Sequence, residues 1–223
     1  MPLTKENSIY KIYQILYAHF GPQHWWPGET KLEIIVGAVL TQNTSWQNVE
    51  KAIKNLKEKN LLEIEKLYKV RENFLSKLIK PAGYYNIKTK RLKELVKFLC
   101  QRYNGNLEKM AKERGEILRE ELLRVKGIGK ETADSILLYA LNKPFFVVDA
   151  YTKRILLRHN LINEKTSYDE IQKLFQENLP KRVKIYNEFH ALLVKLGKTY
   201  CQKRPKCFLC PLANLFPINR ATP

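Results

Sequence analysis

The sequence predicts an all-α protein, and three observations carry that expectation. Apolar residues recur at the helical spacing of i, i+3 and i+4 in Ile9-Ile12-Ile15-Leu16, Val49-Ala52-Ile53-Leu56, Leu92-Leu95-Val96-Leu99 and Ile136-Leu137-Ala140. Alternation of apolar and polar residues at strand spacing is scarce. Helix punctuation agrees with the periodic segments, because Thr30 and Ser45 stand where N-caps are needed and Gly21, Gly28, Gly83 and Gly105 fall between segments.

Taken in order, the first helix centres on Ile9 to Leu16 and ends before Gly21. The next apolar stretch, Ile34 to Leu40, is the longest in the chain and far short of the roughly 20 residues that cross a bilayer. Ser45 opens the helix that carries Val49 to Leu56. The run Tyr84-Tyr85-Asn86-Ile87-Lys88-Thr89-Lys90-Arg91 leads into the Leu92 to Leu99 helix; it suits nucleic-acid backbone contacts, and a solvated charged face has the same composition. One run is expected to be extended, Asn142-Lys143-Pro144-Phe145-Phe146-Val147-Val148, ending at Asp149. No repeat or low-complexity linker is visible, so composition alone signals no division into domains.

The 223 residues carry 40 Lys plus Arg against 22 Asp plus Glu, a formal charge of +18. With 44% hydrophobic and 11% aromatic residues the chain can bury a core, which excludes a disordered polycation. A folded protein with this excess charge points to a polyanionic partner, nucleic acid ahead of an anionic membrane surface. Met1 to Lys11 has no apolar signal-peptide core, so a soluble, cytoplasmic protein is expected. A monomer is expected as well. Of the four cysteines, Cys201, Cys207 and Cys210 crowd near the C-terminus, which suits a metal or cluster better than a disulfide framework. Cys100 stands alone and is expected to be a buried apolar residue.

The strongest local signal lies between two helical patterns, where Val125-Lys126-Gly127-Ile128-Gly129-Lys130 interrupts the chain before Glu131-Thr132-Ala133 resumes it. Glycines allow positive φ and close backbone approach, so the amides at the next helix's N-terminus can meet a DNA phosphate, with Ile128 buried as an anchor. Lys126 and Lys130 flank the turn, and together with the net charge they favour phosphate binding over an ordinary interhelical turn.

The segment Val125 to Ala133, followed by Phe146-Val147-Val148-Asp149-Ala150-Tyr151-Thr152-Lys153-Arg154, resembles the helix-hairpin-helix DNA glycosylase superfamily in its endonuclease III branch. Gly37-Ala38-Val39-Leu40-Thr41-Gln42-Asn43-Thr44 and Gly83-Tyr84-Tyr85-Asn86-Ile87-Lys88-Thr89-Lys90-Arg91-Leu92 resemble the same branch, in the same order. The resemblance implies two helical domains with a DNA-binding cleft between them: residues 29–140 as the central domain ending with the hairpin, and residues 1–28 plus 141–223 as the second. It also implies that Asp149 is the catalytic carboxylate. An Asp at that place is equally a helix N-cap, and both roles are compatible.

Members of the superfamily that cut the strand at the abasic sugar resemble one another in a lysine two residues after the hairpin's second glycine, which forms a Schiff base. This chain has Glu131 there, and a carboxylate cannot form an imine. Lys130 is one residue away, about 100° around the helix, and suits a phosphate contact. Base excision without lysine-based strand cleavage is therefore expected.

Trp25-Trp26-Pro27, Trp46 just after the Gln42 segment, and Lys126-Gly127-Ile128-Gly129-Lys130-Glu131 resemble the 3-methyladenine DNA glycosylase III family most closely. In that family the tryptophan pair lines the base pocket, and an aromatic occurs where Trp46 stands; taken singly, each of these tryptophans could be a core residue. A 3-methylated adenine is cationic, so an aromatic face attracts it and its glycosidic bond is already activated. Gln42 resembles the residue that fills the gap left by the flipped base, and a solvent-facing glutamine at a helix end is the other reading.

The tail Cys201-x5-Cys207-x2-Cys210 resembles the iron–sulfur loop of endonuclease III, which carries four cysteines holding a 4Fe-4S cluster. The fourth position is Phe216, so the set is incomplete. A cluster with a non-cysteine ligand, a zinc borrowing a side chain such as His190, and a loop without metal all remain open, with the cluster favoured. The sequence as a whole points to a monofunctional glycosylase for alkylated bases acting on double-stranded DNA. An endonuclease III-like enzyme for oxidised or deaminated bases and a non-catalytic helix-hairpin-helix DNA-binding protein are the alternatives.

Overall fold

The protein is described by a computed structural model that covers residues 5–25, 28–213 and 215. Among these residues there are helices and no strand, so the all-α expectation holds. The chain forms two compact units, Met1–Trp25 with Pro144–Pro223, and Trp26–Lys143.

The Trp26–Lys143 unit is built around α2 (Lys31–Leu40). The apolar run that was too short for a membrane is here a central helix, with Ile34, Ile35, Val36, Val39 and Leu40 all buried. Thr30 caps it by accepting from Glu33 N at 3.1 Å, and at the other end Thr41 Oγ1 donates to Gly37 O at 2.7 Å. Against it pack α3 (Trp46–Glu58), α6 (Tyr85–Tyr103) and α9 (Lys130–Ser135), while α4 (Ile64–Lys69), α5 (Glu72–Leu78) and α7 (Leu107–Lys112) pack on α6 and α8 (Gly115–Arg124) packs on α9. Ser45 occupies the N-cap of α3 without a side-chain capping bond. α3 buries Val49, Ala52, Ile53 and Leu56, and α6 buries Leu92, Leu95, Val96 and Leu99, the stripes that the periodicity marks. The third stripe departs from the expectation: Ile136–Ala140 continues α9 as a π-helical segment in which every residue is buried. This wider turn packs against α2.

The other unit packs α1 (Lys5–Phe20), α10 (Ala150–Arg158) and α11 (Tyr168–Asn178) with α12 (Val183–Thr199). Its core is aromatic: Phe146 stacks on Phe175 at 3.9 Å and meets Tyr186 and Phe189 edge-on. Each such fully buried ring contributes about 1.5–3 kcal/mol through the apolar area it removes from water. The expected extended run is extended without a strand partner. Its backbone is satisfied by α11 instead, since Gln176 Oε1 accepts from Phe146 N at 3.2 Å and Gln172 Nε2 donates to Phe146 O at 2.7 Å. Both glutamines thereby fix the approach of the chain to Asp149.

Candidate functional site

Asp149 closes the extended run in β conformation (φ −102°, ψ −179°) and is the N-cap of α10. Its Oδ1 accepts from Thr152 N at 2.7 Å and from Thr152 Oγ1 at 2.8 Å. The other oxygen, Oδ2, lies 3.6 Å from His190 Nε2, on α12. Trp25 stacks on that imidazole, with centroids 5.3 Å apart and planes at 14°. The side chains of His190 and Asp149 are only 6% and 13% exposed. Burial pushes the Asp149 carboxyl up, and His190 and Thr152 together outweigh it, so its pKa is held below the ordinary carboxylate value of 3.8. A buried carboxylate is thus kept ionised with one oxygen tied to its own helix and the other left facing the aromatic side. That is the arrangement a developing positive charge requires.

In the other unit the hairpin places Lys126, Gly127, Gly129, Lys130 and Glu131 at the surface and buries Ile128 to 4% exposure, as an anchor. The two glycines differ in what they supply. Gly127 has φ +88°, and a Cβ on it would stand 2.4 Å from Arg91 Cγ. Gly129 has φ −93° and ψ 176°, ordinary extended backbone, and a Cβ there would meet open space. The expectation that both supply positive φ is therefore corrected for Gly129, whose contribution is an unobstructed approach to the first turn of α9. Gln42 is not a solvent-facing helix end. Its amide donates to Thr132 Oγ1 at 2.9 Å and to Gly127 O at 3.5 Å, and its oxygen accepts from Arg91. Behind the hairpin, Arg119 of α8 grips the wholly buried Asp134 of α9 through two bonds of 2.7 and 3.1 Å.

Trp46 is half-buried, donates to Glu50 Oε1 at 2.9 Å and lays its ring where a Cβ on Gly37 would stand 3.3 Å away. Trp26 and Phe216 lie outside the described residues. Lys88, which the sequence grouped with a backbone-contacting basic run, is 1% exposed and donates to Leu40 O and Ala82 O at 2.8 and 2.7 Å. Burial and the neighbouring Arg91 push its pKa down to about 8. It is an internal clamp on the end of α2, and this correction separates it from Lys90 and Arg91.

Cys201, Cys207 and Cys210 line one cavity of about 20 Å³ together with Arg158, His159, Tyr200 and Pro205. That is room for about one water-sized particle. Among the described residues, no group of three or more His, Cys, Asp or Glu side chains is placed to hold a metal ion. His190, considered above as a zinc ligand, sits at Asp149. The loop is instead threaded by Arg158, 2% exposed, which donates to Cys201 Sγ at 3.3 Å, Gln202 O at 2.6 Å and Lys203 O at 3.3 Å. Burial pushes the Cys210 thiol up. Cys100, expected to be buried, is half-buried on α6, and burial raises its thiol pKa as well.

The family model for HhH-GPD superfamily base excision DNA repair proteins matches residues 36–181, which takes in Gln42, the hairpin and Asp149. The chain belongs to this family. A Methanocaldococcus jannaschii relative, provisionally named a DNA repair glycosylase, is 56% identical over 214 residues, 95% of this chain and 97% of the relative. Endonuclease III of Thermotoga maritima is 30% identical over 182 residues, 81% of this chain and 80% of that protein. The crystal structure of H. pylori 3-methyladenine DNA glycosylase (MagIII) bound to 1,N6-ethenoadenine superimposes with a TM-score of 0.75 at 31% identity, covering 88% of this chain and 98% of that one. Arg119 and Arg158 were missed by motif reading, Lys88 and Arg91 were named only as members of a basic run, and His190 only as a candidate zinc ligand. His190 carried a faint signal as one of four histidines in the chain, and the buried cations carried none, because a lysine or arginine looks the same in sequence whether solvated or internal.

Proposed function

We propose that this HhH-GPD protein is a monofunctional DNA glycosylase that extrudes an alkylated, 3-methyladenine-like base from duplex DNA and hydrolyses its glycosidic bond, with Asp149 as the catalytic carboxylate. The observation that carries the reading is the ionised, buried Asp149 with Oδ2 directed to the Trp25–His190 side. As the bond from C1′ to the base nitrogen breaks, its electron pair leaves with the base and positive charge grows on the sugar, where a fixed carboxylate stabilises it. Water then bonds to C1′ and gives its proton to Asp149 or solvent. A cationic 3-methyladenine departs neutral and needs no separate acid, so one carboxylate suffices.

The hairpin amides from Gly127 to Lys130 bind phosphate, with Lys126 and Lys130 adding charge, and Gln42 fills the gap left by the flipped base. Trp25, with Trp26 and Trp46, forms the stacking surfaces that select a cation. Glu131 offers no imine-forming amine, so strand cleavage at the abasic sugar is not part of the reaction. No step passes through the cysteine loop, which contributes a basic surface ordered by Arg158. Double-stranded DNA is the partner and the protein acts as a monomer in the cytoplasm.

The T. maritima relative supports a second reading, an endonuclease III-like glycosylase for oxidised or deaminated bases. Incubation with duplexes carrying 3-methyladenine, hypoxanthine, uracil or thymine glycol, followed by identification of the released base, separates the two. Release of 3-methyladenine with an intact abasic strand supports the first, and release of thymine glycol with strand cleavage supports the second.

A further inference from the structure

The Asp149 carboxylate is asymmetric in its surroundings. Oδ1 is saturated by two short bonds from Thr152, so it is committed to holding α10, and only Oδ2 is available to a reacting sugar. What faces Oδ2 is His190, from a different helix and 41 residues further along the chain, at 3.6 Å, and the imidazole is in turn covered by Trp25. Phe146 meets the imidazole at 6.5 Å and 90°. The histidine is therefore walled by aromatic faces and aimed at the oxygen that the reaction uses.

We propose that His190 is the positioning residue for base excision: through Nε2 it fixes the rotation of the Asp149 carboxylate that keeps Oδ2 directed at the sugar, and Trp25 holds the imidazole in register by stacking. This inference rests on Asp149 being the catalytic carboxylate. Thr152 alone restrains one oxygen, about which the carboxylate can still tilt, whereas contacts at both oxygens fix its plane. The same geometry joins the base pocket to the acid, because a base stacking on Trp25 presses on the ring that seats against His190. A misplacement of about 1 Å in such a group costs roughly 100-fold in rate, so the effect belongs in the chemical step and not in binding.

The test compares His190→Phe, which keeps the ring stacking and removes the nitrogen, with His190→Gln, whose Nε2 can reach the same oxygen. Each is assayed by single-turnover base release on the duplex of the four above that the wild-type protein excises fastest, by dissociation constant for that duplex, and by thermal melting. The expected result is a rate lowered about 100-fold in His190→Phe with a dissociation constant within about threefold of wild type, and recovery to within about tenfold in His190→Gln. Equal rates for His190→Phe and wild type overturn the inference, as do equal losses in both variants. If His190→Phe fails to fold, the His190→Gln rate decides it, and a loss above tenfold in a folded His190→Gln that still binds the duplex counts against it. Asp149→Asn is run alongside: full activity in that variant, or a wild-type protein inert on all four duplexes, overturns the functional reading and this inference with it. An inactive Asp149→Asn beside a normal His190→Phe overturns the inference alone.

Discussion

The side chain of Gln42 donates to Thr132 Oγ1 at 2.9 Å, tying the end of α2 to the first turn of the helix that follows the hairpin. A residue read from sequence as either a gap filler or a solvent-facing glutamine is thus held beside the hairpin turn, with Arg91 on its oxygen.

This predicts that Gln42→Ala slows excision more when the target base is paired than when it is mismatched, because unpairing costs less for a base already out of register. Single-turnover rates on matched and mismatched duplexes check it, with a loss of about tenfold expected on the matched one and less than threefold on the mismatched one. Equal losses would show that Gln42 serves only the packing of the hairpin.

The bidentate Arg119–Asp134 pair braces α8 against α9 from beneath the hairpin. Arg119→Met takes two hydrogen bonds and a positive charge away from a wholly buried carboxylate, so it is expected to lower stability by about 3–5 kcal/mol, read from urea unfolding. Replacing both partners by apolar residues should recover much of that loss.

Lys88 supplies a pH signature. Its pKa is lowered to about 8 in the folded protein from 10.5, so between those values the unfolded chain holds a proton that the folded chain has released. Stability therefore rises with pH across that window, and below about pH 8 the cost of burying the ammonium is carried in full. Lys88→Met should lose this rise. At neutral pH it should also be less stable by about 1–3 kcal/mol, because the Leu40 and Ala82 carbonyls lose their donor. Urea unfolding of both proteins from pH 7 to 10.5 measures the difference.

Trp25→Ala should reduce release of cationic 3-methyladenine about 2- to 30-fold more than release of neutral hypoxanthine, the range that a lost cation–π contact gives. Comparison of the two rates on otherwise identical duplexes provides the ratio.

Much of the fold was legible because helical periodicity reports burial directly: the stripes in α3 and α6 are the residues the structure buries, and Thr30 and Asp149 cap as their chemistry predicts. The periodicity could not distinguish the π turn at Ile136–Ala140 from an α-helix, since a run buried on every side has no polar face to set a phase. Ser45 marked a helix start correctly without forming the capping bond. At the candidate site, the hairpin and Asp149 were visible as local motifs. The His190 contact was not, because it joins α12 to an N-cap 41 residues earlier and depends on packing through Phe146 and Phe189. The cysteine loop was read from cysteine spacing, yet what orders it in the structure is Arg158 on α10, remote in sequence and indistinguishable there from a surface arginine.

The central claim is that Asp149 performs the excision. The most direct test is single-turnover base release by Asp149→Asn, an isosteric change that removes the charge, measured together with affinity for the damaged duplex. The account predicts a loss of at least about 1,000-fold in release with binding retained within about threefold. Release at a near-normal rate would contradict it.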